Sequence, residues 1–152
     1  MTDTAPQPIP FLDLKAQQAR IAADLRRRLD TVLGHCQFIL GPEVTELEQE
    51  LARFCGAKHC IGVSSGTDAI QIALMGAGIV PGDAVFLPAF TYTATAEVPL
   101  VLGATPVFVD VDPRTFQMDV TDLEARIAAV KAEGRLRPRA VIGVDLFGQP
   151  AD

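Results

Sequence analysis

Apolar and polar positions follow one rhythm in the first third of the chain and another beyond it. From Leu14 onward, apolar residues recur at helical intervals, with Leu14, Ile21, Leu25, Leu29 and Val32 on one face until Gly34 interrupts. This predicts an amphipathic helix, entered from an extended Ile9-Pro10-Phe11-Leu12 segment. Gly41-Pro42 opens a second helix. Proline in the first turn gives up an N–H that would have no partner there, and Val44, Leu47, Leu51 and Phe54 follow at helical spacing before Gly56. After Gly56, short apolar runs alternate with helical stretches. Residues 60–64 read as a strand, followed through Ser65-Gly66-Thr67 by a helix with Ile70, Ala73, Leu74 and Ala77 inward. Pro81-Gly82-Asp83 is turn chemistry, and residues 84–87 are the next buried strand. A helix from Thr95 to Leu102 stops at Gly103, and residues 106–110 form a further strand. Thr121-Asp122-Leu123-Glu124 opens another helix in capping-box form, ahead of a strand over residues 140–144.

Strands alternating with helices predict an α/β fold, a mostly parallel sheet covered by helices. The expected organisation is a disordered or extended tail over residues 1–8, an amino-terminal helical segment over 9–56 and an α/β domain over 57–152. That domain reads as incomplete, because the last strand is followed only by Gln149-Pro150-Ala151-Asp152, without a helix to cover the sheet.

Composition narrows the classes of function. With 49% hydrophobic and 21% charged residues, the chain lacks the low-hydrophobicity, high-charge signature of disorder. A formal charge of −6 argues against nucleic acid as a partner, and the one dense basic run, Arg26-Arg27-Arg28, reads as a solvated helix face. Cys36, Cys55 and Cys60 are odd in number and lack a disulfide-framework spacing, which points to a reducing cytoplasm. No metal site is expected: His59 and Cys60 are neighbours on the predicted strand and would point to opposite faces. The polar, proline-rich first ten residues do not form a secretory signal, and no apolar run reaches membrane-spanning length.

Candidate chemistry concentrates at two strand ends. At Val63-Ser64-Ser65-Gly66-Thr67-Asp68-Ala69, a strand turns directly into a helix through small hydroxyl residues and glycine. A helix start presents unpaired N–H groups and the positive end of the helix dipole, so a phosphate can sit there without a lysine. Ser65 or Thr67 acting only as helix cap fits the same residues. Neither a Rossmann fingerprint nor the Gly-Lys-Ser/Thr ending of a P-loop is present. The second site is Pro88-Ala89-Phe90-Thr91-Tyr92-Thr93-Ala94-Thr95, at the carboxyl end of the next strand, where open α/β sheets place ligands. Tyr92, the single tyrosine, offers a flat face for a heteroaromatic ring, or packs at the strand end with its hydroxyl satisfied. Glu97 reads as solvent-facing, and Asp110 and Asp112, beside Pro113, as turn residues.

Taken in order, several segments form a recognisable set: Ile9-Pro10-Phe11-Leu12-Asp13-Leu14-Lys15, Gly41-Pro42-Glu43-Val44, Ser64-Ser65-Gly66-Thr67-Asp68-Ala69, Pro81-Gly82-Asp83, Thr93-Ala94-Thr95-Ala96-Glu97 and Gly103-Ala104-Thr105-Pro106-Val107-Phe108-Val109-Asp110. Together they resemble the DegT/DnrJ/EryC1/StrS family of sugar aminotransferases, from Ile9 onward. The resemblance implies the amino-terminal part of the large domain of a fold type I (aspartate aminotransferase) architecture. It implies pyridoxal 5'-phosphate as cofactor, with Ser65, Gly66 and Thr67 at its phosphate and Tyr92 on its ring. The reaction it implies is transfer of an amino group from an amino acid, usually glutamate, to a keto sugar on a nucleotide, for sugar or polysaccharide biosynthesis, by a cytoplasmic homodimer.

In the family pattern the Schiff-base lysine and the acid that pairs with the ring nitrogen lie beyond Asp152. Lys15, Lys58 and Lys131 do not match that lysine, so the chain alone is expected to be inactive. A sugar dehydratase of the same family, in which histidine replaces the lysine, is the alternative within it. A non-catalytic phosphate- or nucleotide-binding α/β module is the alternative outside it. Phe11 to Lys15 and Lys58-His59-Cys60 are most similar to relatives that aminate a 3-keto derivative of a UDP-linked N-acetylhexosamine uronic acid. Asp145 departs from the histidine of many relatives.

Overall fold

The computed structural model describes residues 11–151, so the tail expected over 1–8 and the Ile9-Pro10 entry lie outside the described residues. The chain divides between Gly62 and Val63 into two compact units.

The first unit holds α1 (Leu14–His35) and α2 (Pro42–Cys55). The Asp13 carboxylate caps α1 by accepting the Ala16 N–H at 2.9 Å. Gly41 leads into α2 in a position closed to any side chain, because a Cβ there would stand 2.4 Å from the Gln37 carbonyl oxygen. Gly56 ends α2 in the left-handed region at φ 66°, which glycine adopts without steric cost. The two helices are tied by polar contacts. Arg28 forks onto the Glu46 carboxylate, with Nη2 at 2.9 Å from Oε1. The His35 Nδ1 accepts the Gln37 N–H, so its Nε2 carries the proton and donates to Glu43 at 3.0 Å. That hydrogen bond is the main reason the Glu43 carboxyl lies below its ordinary range. Neither helix buries a residue, and the predicted apolar faces, Ile21, Leu25 and Leu29 on α1 and Leu47, Leu51 and Phe54 on α2, remain exposed.

The second unit is built on β1 (Asp83–Pro88), every residue of which is buried. It is flanked by β2 (Thr105–Val109) and β3 (Arg137–Val141) in the order β2-β1-β3, and both pairings are parallel. Alternation along β1 sends its side chains to two cores. Val85 packs with Leu74 and Ile79 and with Val98 and Ala104, under α3 (Gly66–Gly76) and α4 (Ala94–Val101). Ala84 and Phe86 pack with Val109 against Leu123, Ile127 and Val130 of α5 (Val120–Glu133) on the other face. This is the helix-covered parallel sheet that the sequence predicts. Asp83 starts β1 as a buried carboxylate: Oδ2 accepts the Val80 N–H at 3.0 Å, while Arg137 Nη2 lies 2.9 Å from Oδ1 as an ion pair without hydrogen-bond alignment.

Three expected elements differ from those observed. Residues 60–64 form no strand, and Ile61 is exposed. A strand exists through its ladder partners, and no strand among the described residues pairs with this segment; the Gly62 N–H goes to the Glu48 carboxylate instead. The last strand begins at Arg137 and not at residue 140, because Asp83 and Ala84 pair with Arg137 and Pro138 before a bulge resets the register at Val85. The α5 cap is Asp119, whose carboxylate accepts the Thr121 and Asp122 N–H groups. The expected Thr121 box does not form because Asp119 already takes the Thr121 N–H that Glu124 would accept; the Asp122 carboxylate meanwhile serves the Asp110 N–H and Arg126.

No helix among the described residues is long and apolar enough to cross a membrane. Truncating Phe86, which is 1% exposed at the centre of the α5-side core, is expected to cost about 3–5 kcal/mol in urea denaturation of the Phe86→Ala variant.

Candidate functional site

The turn into α3 is set by three hydrogen bonds among Ser64, Ser65 and Asp68. Ser65 is the N-cap, extended at φ −160° and ψ 166°, and its Oγ accepts the Asp68 N–H at 3.1 Å. The same hydroxyl donates to Asp68 Oδ2 at 3.0 Å, and the Ser64 hydroxyl donates to that oxygen too. Ser65 and Asp68 therefore satisfy one another across the first helical turn, with the Asp68 carboxylate taking the Ser65 hydroxyl and not, as in a capping box, its N–H. These two hydroxyls, Ser64 first and then Ser65, hold the Asp68 carboxyl below its ordinary value. The consequence for a ligand is selective. The serine hydroxyls are committed within the turn, whereas the N–H groups at the very start of α3 have no helical carbonyl to bind. Gly66 adds no bulk there: a Cβ on it would meet nothing within 4 Å.

Gly66 and Thr67 open onto a cleft of about 540 Å³. Its other walls come from Thr91 and Tyr92 in the loop after β1, Thr95 on α4 and Asp145 after β3. The loop holding Tyr92 is tied down on both sides, by the Thr95 N–H donating to the Tyr92 carbonyl at 3.1 Å and by a 3.1 Å hydrogen bond between the Thr91 and Thr95 hydroxyls. The Tyr92 side chain itself is exposed, at 77%. A ring in this cleft would thus meet an aromatic face on a fixed loop, with helix-start donors on the same cleft's wall.

Of the four residues expected at a cofactor, the structure brings Gly66, Thr67 and Tyr92 to one cleft and places Ser65 beside it as the cap. Glu97 is exposed and outside the cleft wall. Asp110 and Asp112 serve the turn after β2, with the Val111 N–H bonded to Asp110 and the Arg114 and Thr115 N–H groups to Asp112. Lys131 sits exposed in the last turn of α5, the helix on the sheet face opposite α3 and α4. Thr91, Thr95 and Asp145 line the cleft without having been singled out for it. Asp145 follows β3, which ends at Val141, and so lies in the loop at that strand's carboxyl end, where ligands gather.

The Asp68 contacts have a measurable signature. In an NMR titration the Asp68 carboxyl should titrate below the ordinary aspartate range, and the Ser64→Ala/Ser65→Ala double variant should return it toward that range. A carboxyl depressed in the folded state contributes stability above its unfolded pKa, and that contribution is lost as pH falls through the native value. The Asp68→Asn variant should therefore flatten the acid limb of the stability profile.

Comparison with known proteins bears on the family and the fold. The UDP-2-acetamido-2-deoxy-3-oxo-D-glucuronate aminotransferase of Pseudomonas aeruginosa is 54% identical over 144 residues, covering 95% of this chain and 38% of that protein. A DegT DnrJ EryC1 StrS aminotransferase from Brucella abortus superposes with a TM-score of 0.92 at 52% identity, over 95% of this chain and 39% of that one. The ntda protein of Bacillus subtilis, solved with bound cofactor PMP, superposes with a TM-score of 0.82 at 30% identity, over 100% of this chain and 34% of that one. The chain thus spans well under half the length of these relatives. Residues 19–152 match the family described as DegT/DnrJ/EryC1/StrS aminotransferases. By this match and these relatives, the chain belongs to the DegT/DnrJ/EryC1/StrS aminotransferase family, pyridoxal-phosphate proteins of the fold type I architecture.

Proposed function

We propose that the protein carrying this chain is a pyridoxal 5'-phosphate-dependent aminotransferase acting on a nucleotide-linked keto sugar, with an amino acid, glutamate foremost, as donor. The observation that carries the reading is the convergence of Gly66, Thr67 and Tyr92 on one cleft at the carboxyl end of β1. The residues present fit the cofactor: helix-start N–H groups and a threonine hydroxyl suit a phosphate, and an exposed tyrosine face suits a pyridine ring. When bound, pyridoxal phosphate supplies an electron sink for chemistry at the carbon bearing the amine. In this reading Gly66 and Thr67 hold the phosphate. Ser65, through its bonds with Asp68, fixes the helix start that presents them, and Tyr92 orients the ring.

The name of the Pseudomonas relative supports a UDP-linked 3-keto uronic acid as the sugar; in this reading the aminated sugar serves surface polysaccharide synthesis. The exposed apolar stripes on α1 and α2 support a homodimer, since such faces are stable only when covered. The unpaired cysteine count supports a cytoplasmic setting. Lys15, Lys58 and Lys131 do not match the family's Schiff-base lysine, so in this reading the reacting lysine belongs to a part of the protein outside residues 1–152.

Two measurements test this reading. Thr67→Ala and Tyr92→Ala should each weaken cofactor binding by about tenfold or more in an absorbance titration, a loss of about 1.4 kcal/mol. Unchanged affinity in both variants would remove the assignment. The 152-residue chain alone, given pyridoxal phosphate, glutamate and a UDP-linked keto sugar, should show no turnover above that of free cofactor. Borohydride trapping of a stoichiometric adduct on Lys15, Lys58 or Lys131, accompanied by turnover, would overturn that expectation.

A further inference from the structure

The cleft is electrically asymmetric. On one wall are Gly66 and Thr67, at the start of α3, where the helix dipole and unpaired N–H groups favour negative charge. On the β3 side is Asp145, the one side chain among the lining residues that is charged at neutral pH. The remaining walls are apolar, such as Ile70 and Ile142, or carry neutral hydroxyls, such as Thr91 and Thr95. A carboxylate in a cleft that receives a phosphate is unfavourable unless the ligand also brings a positive group. A ligand with a phosphate at one end and a cation elsewhere satisfies both walls.

The forms of the cofactor differ in this respect. Pyridoxamine phosphate, the form bound in the Bacillus subtilis relative, carries a primary amine that is protonated at neutral pH. Its neutral isostere, pyridoxine phosphate, carries a hydroxyl on the same carbon. Phosphate and ring are common to both, so Gly66, Thr67 and Tyr92 cannot tell them apart. A carboxylate can.

We propose that Asp145 recognises the protonated amino group of the aminated cofactor and so sets how strongly the site prefers that form. The inference rests on the reading of the cleft as the cofactor site. The surrounding geometry suits the role. Asp145 Oδ1 accepts the Ala151 N–H at 2.9 Å, across the single 3-10 turn Leu146–Gly148. That bond fixes one carboxylate oxygen on a turn that includes Phe147 in the left-handed region at φ 56°, and it leaves Oδ2 for a ligand. It also provides a clean substitution, because asparagine keeps an oxygen to accept the Ala151 N–H while removing the charge.

The test measures binding of pyridoxamine phosphate and of pyridoxine phosphate to the cofactor-free form of the full protein carrying this chain, by calorimetry. Wild type should bind the amine the more tightly. In the Asp145→Asn variant, affinity for pyridoxamine phosphate should fall by about tenfold, with pyridoxine phosphate changed by less than about twofold. Asp145→Glu should restore part of the preference. Equal losses for the two compounds would show a purely structural Asp145 and overturn the inference, as would an unchanged preference in Asp145→Asn. If neither compound binds wild type, the cofactor reading of the cleft itself fails, and the inference with it.

Discussion

Everything in the second unit depends on β1 being buried on both faces and along both edges. Its backbone is paired by β2 and β3, and its alternating side chains enter two separate cores. Parallel pairing on both sides requires crossover connections, and right-handed crossovers running in opposite directions place α4 on one face and α5 on the other, with α3, ahead of β1, packed on the α4 side. The same geometry gathers the loops after β1 and β3 at one end of the sheet. Tyr92 and Asp145, far apart in sequence, become walls of one cleft because both follow the carboxyl ends of paired strands. That end of the sheet also collects Phe90, Phe116 and Phe147, whose ring centroids lie 5.7 to 6.4 Å apart in tilted and edge-to-face pairs.

The start of α3 shows how a phosphate-type site can be prepared without a cation. Ser65 and Asp68 close a reciprocal pair, and Ser64 adds a second donor to the same carboxylate. This leaves the first N–H groups of the helix to the cleft and keeps their directions set before any ligand arrives. The carboxylate lies beside the positive end of the helix dipole and partly offsets it. Orientation of the N–H groups, more than raw positive potential, is then what α3 offers an anion. This matches a chain whose formal charge is −6 and whose cleft has no basic side chain among its lining residues.

The first unit poses the complementary case. Its helices have good caps, a forked Arg28–Glu46 contact and a His35–Glu43 hydrogen bond, yet bury none of their residues. Capping and surface ion pairs contribute only about 1 kcal/mol each. Amphipathic helices of this kind take most of their stability from packing of the apolar stripe. Their stripes are therefore the surface on which oligomeric assembly would have the greatest energetic effect.

The elements readable in the sequence were those whose signals are local. Gly41-Pro42 and Gly56 bound α2 because proline and glycine act on their own backbone, and helical spacing marked α1 and α3 for the same reason. Pro81-Gly82-Asp83 before an apolar run identified β1, and Ser65-Gly66-Thr67 marked a helix start whatever lay around it. Tertiary structure decided what depends on partners. Residues 60–64 have strand composition but no strand beside them among the described residues, so the backbone turns to Glu48 instead. The start of β3 at Arg137 follows from its register against β1, which no periodicity within 137–144 encodes. The α5 cap at Asp119 is by contrast a local contact, since its carboxylate takes the Thr121 N–H that a box starting at Thr121 would offer to Glu124. Which residues share the cleft was decided by strand pairing: β3 lies beside β1, and this brings Asp145 and Tyr92 to one end of the sheet, although they are far apart in the chain.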